Sequence, residues 1–117
     1  MNTQEKWWTG AEGDAYTDRN RRPLGRKQMF QRILNALPAA PTSILEIGAN
    51  RGLNLDALSC LATARLIGLE PNEKARQLIN FKFKMLAGTA QHIPLPSDSV
   101  EMAFTCGVLI HIPPVEL

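Results

Sequence analysis

The stretch Ser43-Ile44-Leu45-Glu46-Ile47-Gly48-Ala49-Asn50-Arg51-Gly52-Leu53-Asn54 decides the fold. Its opening run, Ser43 to Ile47, reads as a short strand buried on both faces, because apolar residues flank Glu46 on either side. Gly48 and Gly52 break the strand, and Leu55, Leu58 and Leu61 follow at helical spacing. Arg65 to Leu69 reads as a second strand ending at Glu70. Pro71 and Asn72 start a helix with Ala75, Leu78 and Ile79 on one face, Asn72 serving as its N-cap. A third strand is expected near Lys84 to Ala87. After the proline-marked loop Ile93 to Pro96, a fourth is expected at Val100 to Thr105. The order β-α-β-α-β-loop-β predicts a parallel sheet with right-handed crossovers, a Rossmann-like α/β architecture.

Upstream, Met1 to Arg22 is polar and carries Trp7, Trp8 and Tyr16, both tryptophans and the only tyrosine of the chain. A short helix is expected from Glu12 to Asn20. Pro23 suits the start of a stronger helix. In it Phe30, Ile33, Leu34 and Leu37 form an apolar face, and Pro38 and Pro41 end it. The chain thus divides into an N-terminal helical segment, 1–41, and a sheet-forming part, 42–117, within a single folding unit.

Composition narrows the functional classes. The 117 residues are 44% hydrophobic and 21% charged, a globular balance. Thirteen basic against eleven acidic residues leave a formal charge of +2, which gives no electrostatic case for binding nucleic acid or a membrane surface. Apolar runs such as Val108-Leu109-Ile110 fall far short of the roughly 20 residues a spanning helix needs. The N-terminus lacks a secretory pattern. Cys60 and Cys106 make neither a disulfide scaffold nor a metal-type pair, and are expected to be small buried side chains in a reducing, cytoplasmic setting.

Open parallel sheets bind ligands at the carboxyl ends of their strands. Gly48 and Gly52 frame a turn where a ligand can approach the backbone without meeting a Cβ. Glu70 lies 70 − 52 = 18 positions beyond that turn, where an acidic side chain can accept two hydrogen bonds from a ribose diol; the competing reading is a solvated loop carboxylate. A dinucleotide site requires G-x-G-x-x-G, and Asn50 occupies its middle glycine position. That argues against a nicotinamide-dependent oxidoreductase and favours S-adenosylmethionine, which has no phosphate yet needs the acidic residue.

These strings carry a resemblance. Leu45 to Asn54 (LEIGANRGLN) resembles the first motif of class I S-adenosylmethionine-dependent methyltransferases, and Gly68 to Ala75 (GLEPNEKA) resembles their second. Gly88 to Phe104 is similar to the segment leading into their fourth strand. More narrowly, Gly13 to Asn20 (GDAYTDRN), Gly48 to Asn54 and Val108 to Pro114 (VLIHIPP) resemble the methylases associated with pseudaminic acid biosynthesis. The resemblance implies that Glu46, Gly48, Ala49 and Gly52 line the methionine half of the cofactor and that Glu70 holds the ribose. It places Pro71 or Asn72 beside the adenine, Thr89 and Ala90 at its flank, and Cys106 and Gly107 at the turn facing the amino-acid end. Tyr16, Arg19 and Asn20 fall in a lid-like segment, with Arg19 set to pair with the cofactor carboxylate or to remain an ordinary surface arginine beside Arg21 and Arg22.

Relatives commonly have Asp where this chain has Thr89 and favour Asp where it has Glu101. They also continue through three more strands in the order 3-2-1-4-5-7-6, so the fourth strand becomes an edge here. An apolar edge is a template for self-pairing, and the expectation is a truncated fragment inclined to aggregate or a homodimer through that strand. The resemblance implies methyl transfer to a small molecule, a sugar or polysaccharide precursor, with a non-catalytic cofactor-binding or interaction module as the alternative. His111 is the candidate base for a hydroxyl acceptor, against a competing reading as a histidine that hydrogen-bonds the backbone. His92 reads as a surface residue.

Overall fold

In a computed structural model, which describes residues 2–19, 25–79 and 81–117, β1 (Ser43–Ile47) lies between β2 (Arg65–Leu69) and β4 (Met102–Thr105), and β3 (Lys84–Leu86) stands outside β2. All three pairings are parallel, with Leu45 opposite Ile67 on one side and Ala103 on the other. The order β3-β2-β1-β4 puts β4 at an edge of the described sheet. β1 and β2 have the predicted bounds. β3 stops one residue short of Ala87 and β4 begins two residues after Val100, because Val100 packs as a loop side chain and the Glu101 amide donates to Ser43 Oγ instead of to a ladder.

Pairing on both sides and burial on both faces explain the apolar run in β1. Ile44 packs with Phe30 of α3 (Arg26–Ala36), Leu55 and Leu58 of α4 (Leu53–Ser59) and, at its margin, Ile79 of α5 (Glu73–Ile79). Leu45 faces the other way, with Ile67 and Leu69, under Leu95 and Val100 of the long loop before β4. Two residues assigned to helix faces do not reach this core. Ile33 and Leu78 are 38% and 41% exposed, since α3 and α5 each touch the sheet through a stripe too narrow to include them. The expected helix start at Pro23 and the lid position Asn20 lie outside the described residues. α3 is first described from Arg26, preceded by Gly25 in a left-handed conformation.

Two short helices, α1 (Thr3–Thr9) and α2 (Ala11–Arg19), form a cap over the carboxyl ends of β1 and β2. The Asn2 side chain and Glu5 make a reciprocal capping box that starts α1. The cap is held from below by polar contacts. Asn50 Nδ2 donates to Thr17 Oγ1 (3.0 Å), Arg51 Nη1 to the Thr17 carbonyl (3.3 Å), and Asn72 Nδ2 to the Trp8 carbonyl (2.9 Å) and Asp14 Oδ1 (2.8 Å). Cys60 and Cys106 are exposed, against the expectation of burial. Both follow the last residue of their element, Cys60 after α4 and Cys106 after β4, where the chain turns away from the core. No described helix is long and apolar enough to cross a membrane.

Candidate functional site

Between the cap and the strand ends lies a cavity of about 170 Å³ lined by Trp8, Tyr16, Arg26, Glu46, Gly48, Asn50, Asn54, Glu70 and Cys106, with Ala49 and Leu53 completing its wall. A second space of about 70 Å³ adjoins it, lined by Thr89, Ala90, Pro71, Gly88, Ile47 and Val108, and shares Trp8, Gly48 and Glu70 with the first. The turn after β1 makes both possible. Gly48 and Gly52 have φ of +78° and +75°, which favour glycine. The Gly48 and Ala49 amides both donate to the Leu69 carbonyl (2.8 and 2.9 Å), which draws the turn against the end of β2.

Two carboxylates face this turn. Glu46, 1% exposed, accepts from Asn54 Nδ2 at 2.6 Å through Oε2, and its Oε1 is buried without a partner. Asn54 is held in that orientation by Arg26, whose guanidinium donates to Asn54 Oδ1. Burial pushes the Glu46 carboxyl up to about 8; the Asn54 hydrogen bond and the Arg26 charge lower it, and the neighbouring Glu70 raises it. Glu70 is 4% exposed, so it is not a solvated loop carboxylate. Its Oε1 accepts from the Asn50 amide (2.7 Å) and its Oε2 from the Asn72 amide (2.8 Å). Burial raises its pKa, opposed by those two amides and by Arg76. Arg76 Nη1 donates to the Glu70 and Pro71 carbonyls (2.7 and 2.8 Å) and so fixes the turn from which Glu70 projects.

Most of the residues picked from the sequence converge on these two spaces. Tyr16, Glu46, Gly48, Ala49, Glu70 and Cys106 line the larger, and Pro71, Thr89 and Ala90 the smaller. Thr89 Oγ1 is buried with no partner there. Five others, Gly52, Asn72, Arg19, Gly107 and His111, line neither space. Gly52 supports the start of α4 and backs onto Ile79. Asn72 is a buried hydrogen-bonding hub beneath the cap, and the N-cap it was expected to be, accepting from the Ala75 amide at 2.8 Å. Arg19 is exposed in the last turn of α2, and neither it nor Gly107 lines the cavity. The arginine at the site is Arg26, brought there by α3, which packs against α4 through Phe30. His111, in a single 3₁₀ turn (Leu109–His111), sets its ring edge-on to Trp8 at 5.1 Å.

Arg26 and Asn54 are the site residues that sequence reasoning passed over. Asn54 carried a faint signal, an amide at a position that its flanking Leu53 and Leu55 mark as facing the core. Nothing local marks Arg26, which is 46 − 26 = 20 positions from the carboxylate it faces. Among the described residues no cluster of His, Cys, Asp and Glu is arranged to hold a metal ion.

Comparison with known proteins agrees with this fold. The family model described as a methyltransferase domain matches residues 45–117. Among solved structures, the plantazolicin methyltransferase BpumL in complex with SAH superposes with a TM-score of 0.64 at 18% identity, over 87% of this chain and 44% of that one. A provisionally named S-adenosyl-L-methionine-dependent methyltransferase from Methanococcus maripaludis gives 0.76 at 12% identity, over 98% and 56%. A SAM-dependent methyltransferase from Thermotoga maritima, named as a possible histamine N-methyltransferase, gives 0.61 at 23%, over 92% and 44%. The chain therefore spans about half the length of these structures, and the shared part is the Rossmann-like half described above. A search of curated proteins found no match.

Proposed function

The chain belongs to the methyltransferase-domain family, matched over residues 45–117, and from that premise we propose that its cleft binds S-adenosylmethionine for methyl transfer to a small acceptor. The observation that carries the reading is the pair of buried carboxylates, Glu46 and Glu70, facing one cavity at the carboxyl ends of adjacent parallel strands. One of the four oxygens, Glu46 Oε1, has no partner. A buried acceptor left unpaired costs on the order of 1–3 kcal/mol, so the site is built to receive a donor. The α-ammonium group of the cofactor is such a donor, and the Arg26 guanidinium beside it matches a carboxylate. Glu70 uses one lone pair on each oxygen for the Asn50 and Asn72 amides and keeps the others for the two ribose hydroxyls. Thr89 Oγ1, buried and unpartnered, faces the space assigned to the base. The residues present fit the group.

When bound, the cofactor supplies an electrophilic methyl on a sulfonium. What this chain contributes is placement: Glu46, Arg26 and Glu70 fix the ligand's two ends, and the cap keeps water away. Orientation of this kind supplies roughly 7–11 kcal/mol in well-aligned systems. For a hydroxyl acceptor, His111 is the base we assign, on its place after β4 against Trp8. The sugar-type acceptor rests on the resemblance of Gly13–Asn20 and Val108–Pro114 to the pseudaminic acid-associated methylases. Calorimetric titration with S-adenosylhomocysteine tests the cofactor site. Micromolar affinity, about −8 kcal/mol, that disappears in Glu70→Ala supports the reading. A folded chain that binds no adenosyl ligand refutes it. Methyl release across candidate sugars, compared with background, tests the acceptor.

A further inference from the structure

Asn54 is an amide on the buried face of α4. The other buried residues of that helix are Leu55, Ala57 and Leu58, at 3% exposure or less, and Asn54 at 6% lies almost as deep. An amide buried at such a position gains nothing over a leucine unless its polar ends find partners. Oδ1 accepts from Arg26 Nη1, which α3 brings in, and Nδ2 donates to Glu46 Oε2 of β1 at 2.6 Å. A guanidinium carries donors only, so Arg26 admits one sense of this amide, carbonyl toward α3 and NH2 toward β1. With Nδ2 committed to Oε2, the Glu46 oxygen left for an incoming donor is Oε1, which is buried and has no partner among the described residues. Arg26, Asn54 and Glu46 all line the larger cavity.

The amide also stands between two unlike groups. Glu46 takes its hydrogen bond from neutral Asn54, and the Arg26 charge acts on it from beyond that amide. A direct pair between guanidinium and carboxylate would satisfy each with the other. With the neutral spacer in place, α3 and β1 bring a cation and an acid to one cavity at a separation that Asn54 sets. Two opposite charges on a single ligand can bridge such an arrangement.

We propose that Asn54 is a positioning residue for the amino-acid end of the ligand: it holds Arg26 and Glu46 apart, one on each side of its amide, and so selects an α-amino acid zwitterion over an uncharged end. The proposal rests on the cofactor reading above and adds the residue that sets its selectivity. Groups fixed in advance raise affinity by cutting the cost of ordering them when the ligand arrives. The effect is confined to the amino-acid end and spares the ribose and base, which are assigned to Glu70 and Thr89.

The experiment compares two adenosyl ligands on the full chain. S-adenosylhomocysteine carries the zwitterion; 5′-methylthioadenosine has the same base, ribose and sulfur and ends in a methyl group. Both are titrated by calorimetry at pH 8.5, above the value of about 8 to which burial pushes the Glu46 carboxyl. The proteins are the wild type, Asn54→Ala, and a double exchange of Glu46→Gln with Asn54→Asp. The exchange keeps the hydrogen-bonded chain, since the new carboxylate at position 54 accepts both from Arg26 and from the new amide at position 46. It also moves the negative charge directly against the guanidinium. The wild type is expected to prefer S-adenosylhomocysteine, and that preference to shrink ~10-fold or more in both variants, the scale of a lost hydrogen bond to a charged group. Binding of 5′-methylthioadenosine is expected to stay as in the wild type. A purely structural Asn54 would weaken both ligands alike in Asn54→Ala and restore both in the exchange. Where Asn54→Ala does not fold, the exchange decides alone. No preference in the wild type, or an unchanged preference in a folded variant, overturns the positioning role and leaves the cofactor site standing. A folded wild type that binds neither ligand overturns the cofactor reading, and this inference with it.

Discussion

Replacing Glu46 by glutamine should change how stability depends on pH more than it changes stability at any one pH. The carboxyl is buried beneath α3 and α4 and holds its proton up to about 8, against an ordinary 4.5. Desolvation is the largest cause. In the unfolded chain the same group ionises near 4.5, so between these two values the folded state binds more protons than the unfolded one. Stability therefore falls as pH rises across that window: the favourable contribution is complete below 4.5 and gone above about 8. The slope approaches 1.36 kcal/mol per pH unit, and 8 − 4.5 = 3.5 units give roughly 5 kcal/mol across the window. That is comparable with the whole stability of many small domains. Glu46→Gln cannot titrate, and its carbonyl can still accept from Asn54. The raised pKa of Glu70 acts in the same direction in both proteins and largely cancels in the difference. Urea denaturation of both at intervals from pH 4.5 to 8.5 should show the variant gaining progressively on the wild type. A difference that stays constant with pH would mean an ionised Glu46 in the folded protein, and desolvation would then not govern its proton affinity.

The remaining predictions concern packing. Gly48→Ala places a Cβ at φ +78° and 2.3 Å from Val108 Cγ2; it should cost about 1–2 kcal/mol from the left-handed backbone and push Val108 into the smaller cavity, weakening S-adenosylhomocysteine binding in calorimetry. Phe30→Ala, at a position 1% exposed and ring-to-ring with Phe104 at 5.3 Å, should lose about 3–5 kcal/mol in denaturant titration. Ile33→Ala, one turn further along the same helix, should lose less than about 1 kcal/mol.

β1 and β2 could be read to the residue because each is a short apolar run with turn-forming residues at its end, Gly48 for one and Pro71 for the other. The interior of a parallel sheet leaves no other use for such a run. Glu70 was legible for the same reason, as the polar residue placed where the strand must stop. Helix faces were less legible. Periodicity shows that Phe30, Ile33 and Leu34 share a side of α3, yet only tertiary contact decides how wide a stripe the sheet covers, and Ile33 falls outside it. The cysteines misled because residue type gives an average burial, whereas Cys60 and Cys106 each sit one step past an element's end. Arg26 was invisible for a stronger reason: its role depends on α3 crossing α4, a long-range packing event with no local sequence signature. Arg19, the nearer arginine to the lid motif, had the better pattern and the wrong place.

Asn72 ties the cap to the sheet through one planar amide whose two ends do opposite work. Its Oδ1 accepts from the Ala75 amide to begin α5, while its Nδ2 donates upward to Trp8 and Asp14. Aspartate is as good an N-cap as asparagine, so an Asn72→Asp change keeps α5 intact. It also turns the donor into an acceptor and sets a carboxylate against the Trp8 carbonyl and the Asp14 carboxylate. One substitution at this position therefore separates the two roles: the start of α5 is kept while the tie between cap and sheet is lost.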